Sequence, residues 1–338
     1  MSKILVVGPS WVGDMVMAQS LFMRLHQRHP GCTIDVLAPA WSHPILQRMP
    51  EVNQALELPL GHGQLGLKTR WQLGKSLVGQ GYTQAIVLPR SWKSALVPFA
   101  AGIPQRTGFL GEQRYFLLND RRPLNKQSLD QTVKRFVALG LAQGEQPDWG
   151  DPASIPQPQL RVDPINQQRL VAELGLDLSR PAVALMPGAE YGPAKQWPLD
   201  SFRELAQQLV YQGRQVWVLG SAKDQAAGQH IAQGQEGGPG QSSFVFNLGG
   251  RTQLADAVDL LALTQQAVTN DSGLMHVAAA VGTQVHAIYG SSSPRYTPPL
   301  TANKVVHYLG LECSPCFKRT CPLGHLNCLR GIKPTGLI

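Results

Sequence analysis

Short apolar runs alternate with amphipathic stretches along the chain, and this alternation restricts the fold more than any other feature. The runs are rich in Val, Ile and Leu and stop at Gly, Pro or Asn; they cover residues 3–7, 33–38, 85–88, 182–186, 215–219, 244–248, 267–269 and 285–289. Segments with helical spacing include 15–28, 131–139, 201–212 and 252–263. Apolar strands separated by helices are typical of a parallel sheet covered on both faces. We therefore predict an α/β fold with doubly wound parallel sheets.

The chain is long enough for two such sheets. A length of 338 residues favours two domains. The stretch GEQPDWGDPASIPQPQ (residues 144–159) interrupts the alternation with four prolines and two glycines, as expected of a connection between domains. We divide the chain into an N-terminal domain (1–150), a linker (151–165) and a C-terminal domain (166–338), and we expect the two domains to face each other across a cleft.

Basic side chains are concentrated in the first half. Residues 1–150 carry 16 basic and 9 acidic side chains, whereas residues 151–338 carry 14 and 13. This excess suggests an anionic partner such as nucleic acid, a phosphorylated lipid or a membrane surface; solubility charge is the alternative. No apolar run is long enough to span a bilayer, and the N-terminus does not resemble a signal peptide, so we expect a cytoplasmic protein.

The first strand leads into GPSWVGD (residues 8–14), which lacks the G-x-G-x-x-G spacing of dinucleotide-binding folds. Asp14 lies at the predicted start of a helix. A carboxylate there is either an ordinary first-turn acid or a general base that deprotonates a hydroxyl nucleophile.

Three turns of the second half carry polar groups suited to a nucleotide diphosphate. Ser272 and Gly273 would present helix N-terminal amides, with Asp271 before them and His276 one turn later. Asp271 could also be a cap, and His276 a packed core residue. The loop PGAEYGPAKQWP (187–198) offers Lys195 as a phosphate-binding cation or as ordinary surface charge. Ser221 and Asp224, after another strand, form a weaker signal for a nucleotide pocket.

Four cysteines are clustered near the C-terminus as C-x2-C-x4-C-x6-C, at Cys313, Cys316, Cys321 and Cys328. Four thiolates can hold a structural metal ion, and His325 is a further potential ligand. We assign this candidate site no catalytic role.

Taken together, GPSWVGD, PGAEYGPAKQWP, NDSGLMHVAAA and GSSSP (290–294) resemble the ADP-heptose:lipopolysaccharide heptosyltransferases of glycosyltransferase family 9. The resemblance covers most of the chain, from residue 8 to about residue 299. It implies a GT-B fold with two Rossmann-like domains, the acceptor in the N-terminal one and the donor in the C-terminal one, and no required metal.

The resemblance also implies a reaction and its participants. An inverting transfer would move L-glycero-D-manno-heptose from ADP-heptose onto the first heptose of a phosphorylated Kdo–lipid A acceptor, releasing ADP. The enzyme would work at the cytoplasmic face of the inner membrane as a peripheral protein.

Residue roles follow from the same resemblance. Asp14 would be the general base, and Lys195 with Ser272 and Gly273 would hold the diphosphate. Asp271 and His276 would bind the heptose or an adjoining phosphate. The Thr-Thr pair known in one branch of the family is replaced by Glu190-Tyr191, leaving Tyr191 as a hydroxyl donor. Among the basic residues of the first half, Lys93, Arg106 and Arg114 are candidate acceptor contacts.

Two alternatives remain open from the sequence. The chain could be a heptosyltransferase of branch I or III, or another GT-B transferase using a different nucleotide sugar. From a different class, it could be a basic nucleic-acid-binding protein with a zinc-like cysteine cluster, but that hypothesis gives the loops around Lys195 and Ser272 no purpose, so we expect no nucleic-acid partner.

Overall fold

The computed structural model describes residues 2–61, 63–234 and 244–338. The described residues form two compact units, one extending to Gln159 and the other comprising Leu160–Ile338. The boundary between the units lies within residues 151–165, the predicted linker.

The first unit is built on a six-stranded parallel sheet with the order β3-β2-β1-β4-β5-β6. Its strands are β1 Lys3–Val7, β2 Thr33–Ala38, β3 Gln54–Glu57, β4 Gln84–Val87, β5 Gln105–Phe109 and β6 Asp120–Arg122. Its helices are α1 Val12–Arg28, α2 His43–Leu46, α3 Leu67–Ser76, α4 Leu96–Ala100 and α5 Thr132–Leu139.

The second unit repeats this design, with the order β12-β11-β10-β7-β8-β9 and all pairs parallel. Its strands are β7 Ala182–Met186, β8 Gln215–Val218, β9 Val245–Asn247, β10 Gln266–Asn270, β11 Gln284–Tyr289 and β12 Lys304–Tyr308. Its helices are α6 Pro164–Leu174, α7 Leu199–Tyr211, α8 Gln225–Ala232, α9 Leu254–Leu261, α10 Gly273–Ala280 and α11 Asn327–Arg330. In both units the first and fourth strands lie side by side at the centre, which is the doubly wound Rossmann order. The predicted fold class is confirmed.

The central strands form the cores because their side chains are apolar on both faces. Every residue of β7 is buried, and on one side of that sheet Trp197 and Phe202 pack edge to face with ring centroids 4.9 Å apart. Helices cover both faces of each sheet, as the uninterrupted apolar runs require.

The first part of the segment predicted as a linker is held against the first unit. Arg24 of α1 donates hydrogen bonds to the carbonyls of Ala153 and Ser154, and Ser20 donates to that of Pro156. Helix α6 begins inside the same segment, where the Asp163 side chain caps it by accepting from two backbone amides. Within the described residues, no helix combines the length and the apolar character needed to cross a membrane.

Candidate functional site

In a doubly wound sheet, ligands bind beyond the carboxyl ends of the two central strands, where the strand order reverses. In the second unit these strands are β7 and β10, which pair in register from Val183 opposite Gln266 to Met186 opposite Thr269. The loop after β7 carries Lys195, and the turn after β10 carries Asp271 and Ser272. Topology therefore brings together the two strongest polar signals of the sequence.

Lys195 and Asp271 form an ion pair at this edge of the sheet. The Lys195 Nζ lies 2.5 Å from an Asp271 carboxylate oxygen, and the side chains are 17% and 5% exposed. The other carboxylate oxygen is 3.4 Å from the Thr297 hydroxyl. Asp271 thus fixes the position of the Lys195 ammonium, which still reaches solvent.

Asn270 joins the two loops and is a site residue that sequence reasoning did not single out. Its fully buried amide accepts a hydrogen bond from the backbone N–H of Trp197 at 2.9 Å and donates one to the carbonyl of Pro187 at 2.7 Å. The loop with Lys195 is therefore held at both ends by one side chain from β10. The signal available in the sequence was a polar Asn directly after the apolar run 267–269.

The N-terminus of α10 is open to a ligand. Ser272 is the N-cap residue with an extended backbone, and its side chain makes no capping hydrogen bond; its hydroxyl lies 3.3 Å from that of Thr269. The first-turn amides that begin at Gly273 thus keep the donor capacity and the positive dipole end that suit an anion.

His276 lies one turn into α10 and is 4% exposed. Burial lowers its pKa to about 4, although the Asp271 carboxylate acts in the opposite direction, so the imidazole is neutral at physiological pH. Its Nδ1 has no hydrogen-bond partner among the described residues. A neutral, buried ring can complete the wall of a sugar or phosphate pocket but cannot supply a cation.

Ser221 and Asp224 cap the short helix that follows β8. The Asp224 carboxylate accepts hydrogen bonds from the Ser221 amide and hydroxyl, each at 2.8 Å. The Asp224 side chain also packs closely against Gly188 and Gly220. A Cβ at Gly188 would lie 2.6 Å from an Asp224 carboxylate oxygen, and a Cβ at Gly220 would lie 2.7 Å from the Asp224 Cβ. Asp224 thus packs the loops after β7 and β8 together, and Ser221 is exposed beside them.

Tyr191 supports Lys195. Its ring lies 5.1 Å from the Lys195 Nζ and 5.4 Å from the Arg319 guanidinium. The predicted role of its hydroxyl as a phosphate donor needs correction, because that hydroxyl donates to the carbonyl of Phe317 at 2.7 Å.

In the first unit the central strands are β1 and β4. Asp14 follows β1 and is partly buried in the first turn of α1. This helix begins at Val12 rather than at the predicted residue 15, because the extended backbone ends at Trp11. Lys93 follows β4 and donates from Nζ to the carbonyls of Gly63 and Gln64 at 2.9 and 3.1 Å. Asp14 and Lys93 both lie beyond the carboxyl ends of the central strands of this sheet.

The two predicted arginine contacts lie elsewhere. Arg106 is near the amino end of β5, where its side chain donates to the carbonyls of Ile103 and Leu117. Arg114 is only 1% exposed and donates to the carbonyls of Phe109, Pro89 and Ser91.

These positions correct the assignment of both arginines. Arg106 lies at the edge of the sheet opposite to Asp14, since β4 and β5 are parallel. Burial lowers the pKa of Arg114 to about 10, so the guanidinium is still charged at physiological pH. Its hydrogen bonds connect the loop after β4 to the end of β5. We therefore assign Arg106 and Arg114 to the fold of the first unit instead of to acceptor contact.

A model of the family described as glycosyltransferase family 9 (heptosyltransferase) matches residues 70–327. The chain belongs to glycosyltransferase family 9. Among curated relatives, it is 50% identical over 300 residues to lipopolysaccharide heptosyltransferase 2 of Escherichia coli K12, covering 88% of this chain and 86% of that protein. It is 48% identical over 304 residues to lipooligosaccharide heptosyltransferase 2 of Haemophilus influenzae, with the same two coverages.

A solved structure described as E. coli ADP-heptose lps heptosyltransferase II is 44% identical, with a TM-score of 0.81 over 97% of this chain and 98% of that one. A family 9 glycosyltransferase from Veillonella parvula shares the fold with a TM-score of 0.78 at 18% identity, covering 90% of this chain and 85% of that one. The two six-stranded units are thus the Rossmann-like domains of a GT-B glycosyltransferase, and the chain is a heptosyltransferase of family 9. The nucleic-acid-binding alternative is not favoured.

Proposed function

We propose that the chain transfers L-glycero-D-manno-heptose from ADP-heptose onto the first heptose of a phosphorylated Kdo–lipid A acceptor and releases ADP. The observation that carries this proposal is the Lys195–Asp271 pair beside the uncapped N-terminus of α10, at the central strands of the second unit. The close relationship to heptosyltransferases 2 supports the same substrates.

The second unit is proposed to hold the donor. As the bond between the anomeric carbon and the diphosphate oxygen breaks, negative charge develops on the departing ADP. The Lys195 ammonium and the first-turn amides of α10 are suited to stabilise that charge, because they are already oriented before the reaction begins. With these groups in place, we propose that neutralising the diphosphate needs no metal ion. Asp271 is proposed to act by holding Lys195, whereas the family resemblance implied contact with the heptose or an adjoining phosphate.

The first unit is proposed to hold the acceptor, with Asp14 as general base. The acceptor hydroxyl oxygen attacks the anomeric carbon, the proton of that hydroxyl passes to Asp14, and ADP leaves with the electron pair of the broken bond. Attack from the face opposite the leaving group inverts the anomeric configuration. Lys93 lies at the same edge of the sheet as Asp14. Its ammonium donates to two backbone carbonyls, and its third N–H is suited to an acceptor phosphate or carboxylate.

Incubating the purified protein with a Kdo–lipid A acceptor that carries one heptose, and with ADP-heptose or UDP-sugars in parallel, tests the reaction. Mass spectrometry should detect the addition of one heptose and an equal amount of ADP only in the ADP-heptose reaction. Transfer from a UDP-sugar but not from ADP-heptose would contradict the proposed donor. Transfer only to an acceptor that lacks the first heptose would contradict the proposed acceptor.

We also propose that an aromatic and basic surface of the first unit contacts the membrane that presents the acceptor. Trp71 of α3 and Phe99 of α4 are 45% and 37% exposed, with ring centroids 6.5 Å apart. The Lys75 ammonium lies 5.4 Å from the Trp71 ring. Exposed aromatic rings beside cations suit the headgroup region of an anionic bilayer, here the cytoplasmic face of the inner membrane.

Cosedimentation with vesicles tests this contact. The protein should bind vesicles that contain anionic phospholipid more strongly than neutral ones, and Trp71→Ser should weaken binding. Tyr211→Ser is a matched control, because Tyr211 is an exposed aromatic residue of the second unit. Equal binding of the Trp71 variant and the unmodified protein would contradict the assignment of this surface.

A further inference from the structure

The four C-terminal cysteines line a single cavity of the second unit. Cys313, Cys316, Cys321 and Cys328 follow β12, and all four border this cavity together with His325 and Ser291. All are free thiols. Residues separated by up to 15 positions in the sequence thus border one cavity. Among the described residues of this segment, the only α-helix is the short α11, which includes Cys328.

Backbone amides surround the Cys321 sulfur. The amides of Leu326, Leu323, Gly324 and His325 donate hydrogen bonds to it. The chain turns around the sulfur through left-handed conformations at Gly324 and Leu326, with φ of 71° and 53°. A thiolate surrounded by amide donors is the form in which cysteine binds a metal ion.

The other sulfurs are close enough to influence one another. The Cys328 sulfur lies close enough to those of Cys313, Cys321 and Cys316 for their charges to act on it. Four thiolates in one cavity repel each other unless a cation is present. His325 is a less suitable ligand than the sulfurs, because its Nδ1 already accepts the amide N–H of Asn327 at 3.0 Å.

The segment between the second and third cysteines supports the loop that carries Lys195. The amide of Ala194 donates to the carbonyl of Arg319 at 3.0 Å, and Tyr191 donates to that of Phe317. A Cβ at Gly192 would lie 2.6 Å from the Arg319 carbonyl oxygen, so only glycine permits this approach. Any ion that fixes the cysteines also fixes the backbone against which the Lys195 loop rests.

We propose that Cys313, Cys316, Cys321 and Cys328 bind one zinc or ferrous ion as a tetrahedral four-thiolate site, and that this ion holds the 317–320 segment against the Lys195 loop. Soft thiolates select these ions over magnesium or calcium. Among the described residues, no three His, Cys, Asp or Glu side chains already have the spacing of an assembled metal site. Binding therefore requires the thiols to move inward around the ion. The second half of the proposal depends on the proposed donor site, whereas the first half does not.

Elemental analysis of the intact protein, purified under reducing conditions, tests the metal site. We expect about one zinc or iron ion per chain, and cobalt substitution should give the intense near-ultraviolet thiolate-to-metal absorption of a tetrahedral site. Cys316→Ser with Cys321→Ser should abolish both signals. Cys32→Ala is the matched control, because Cys32 is a buried thiol of the first unit. Metal-free native protein whose four thiols all react with a thiol reagent, or disulfides among them, would overturn the proposal whether or not the serine variant folds.

Calorimetric ADP binding tests the supporting role separately. The doubly substituted variant should bind ADP about tenfold more weakly, the effect of losing one well-positioned charge-assisted hydrogen bond. Unchanged ADP affinity in a folded, metal-free variant would overturn the supporting role. Failure of the unmodified, metal-loaded protein to bind ADP would instead contradict the proposed function and leave the metal result intact.

Discussion

Replacing Lys195 with methionine removes the cation that we propose holds the diphosphate, while keeping most of the side-chain volume. The Lys195 ammonium is fixed by Asp271 at 2.5 Å, and its side chain is 17% exposed. A hydrogen bond to a charged group contributes about 1.5–3 kcal/mol. Because about 1.4 kcal/mol corresponds to a factor of ten, the ADP dissociation constant should rise about 10- to 100-fold.

A second effect increases the loss. Without Lys195, the Asp271 carboxylate, which is 5% exposed, is left without its cationic partner beside the incoming diphosphate. Adding Asp271→Asn to Lys195→Met should therefore restore part of the ADP affinity and part of the stability, since removing one partner of a buried ion pair costs more than removing both. A double-mutant cycle measured by calorimetry and by urea unfolding gives this coupling directly.

Lys223 provides the matched control. Its side chain is 76% exposed and pairs with Glu190 at 3.0 Å, and such a surface pair contributes about 0–1 kcal/mol. Lys223→Met should change the ADP dissociation constant by no more than about twofold. If Lys195→Met folds and binds ADP as tightly as the unmodified protein, Lys195 is not a phosphate ligand and the assignment of the donor site is wrong.

Three further perturbations test other parts of the site. Asp14→Asn should lower turnover by about 10²- to 10⁴-fold with ADP affinity unchanged, because it removes the general base; near-normal initial rates would exclude this role. Asn270→Ala should lower the free energy of unfolding in urea by about 1–3 kcal/mol, because its two buried backbone partners lose their hydrogen bonds, and an unchanged transition would contradict the loop-joining role. His276, with a folded-state pKa of about 4, binds its proton less readily in the folded than in the unfolded protein. Protonation of His276 should therefore lower the free energy of unfolding as the pH falls from about 6.5 towards 4, by up to about 1.4 kcal/mol per pH unit. Stability measured against pH should fall less steeply in His276→Gln, and equal slopes would rule out this contribution.

The apolar strands were predicted from the sequence, and the more polar ones were missed. The bounds of β1, β2 and β7 coincide with the predicted ones, because β1 and β7 are nearly continuous apolar runs and all three strands are closed by Gly or Pro; β2 carries the polar Asp35. The edge strand β9 lies within its predicted bounds, 244–248. Four strands were missed: the edge strands β3, β6 and β12 and the inner strand β5, with sequences QALE, DRR, KVVHY and QRTGF, none of which is a continuous apolar run. Their conformation depends on pairing with a neighbouring strand, which local sequence does not encode.

For the candidate donor site, the sequence indicated which residues lie at one edge of the sheet but not which of them contact each other. The strand-end rule brought Lys195 and Ser272 to one edge of the sheet, because it depends on strand order alone. Nothing in the sequence indicated that Lys195 would pair with Asp271, which is 76 positions away. Arg114 was predicted to be an acceptor contact because an arginine usually carries an exposed charge. In the structure, hydrogen bonds to three backbone carbonyls hold the Arg114 guanidinium in the interior.

The most direct test of the donor site is a crystal structure of the protein with ADP bound. We expect the diphosphate beyond the carboxyl ends of β7 and β10, with its oxygens within hydrogen-bond distance of the Gly273 amide and of the Lys195 ammonium. A diphosphate bound at any other strand end, or one that leaves both of these groups without contact, would contradict the proposed location of the donor.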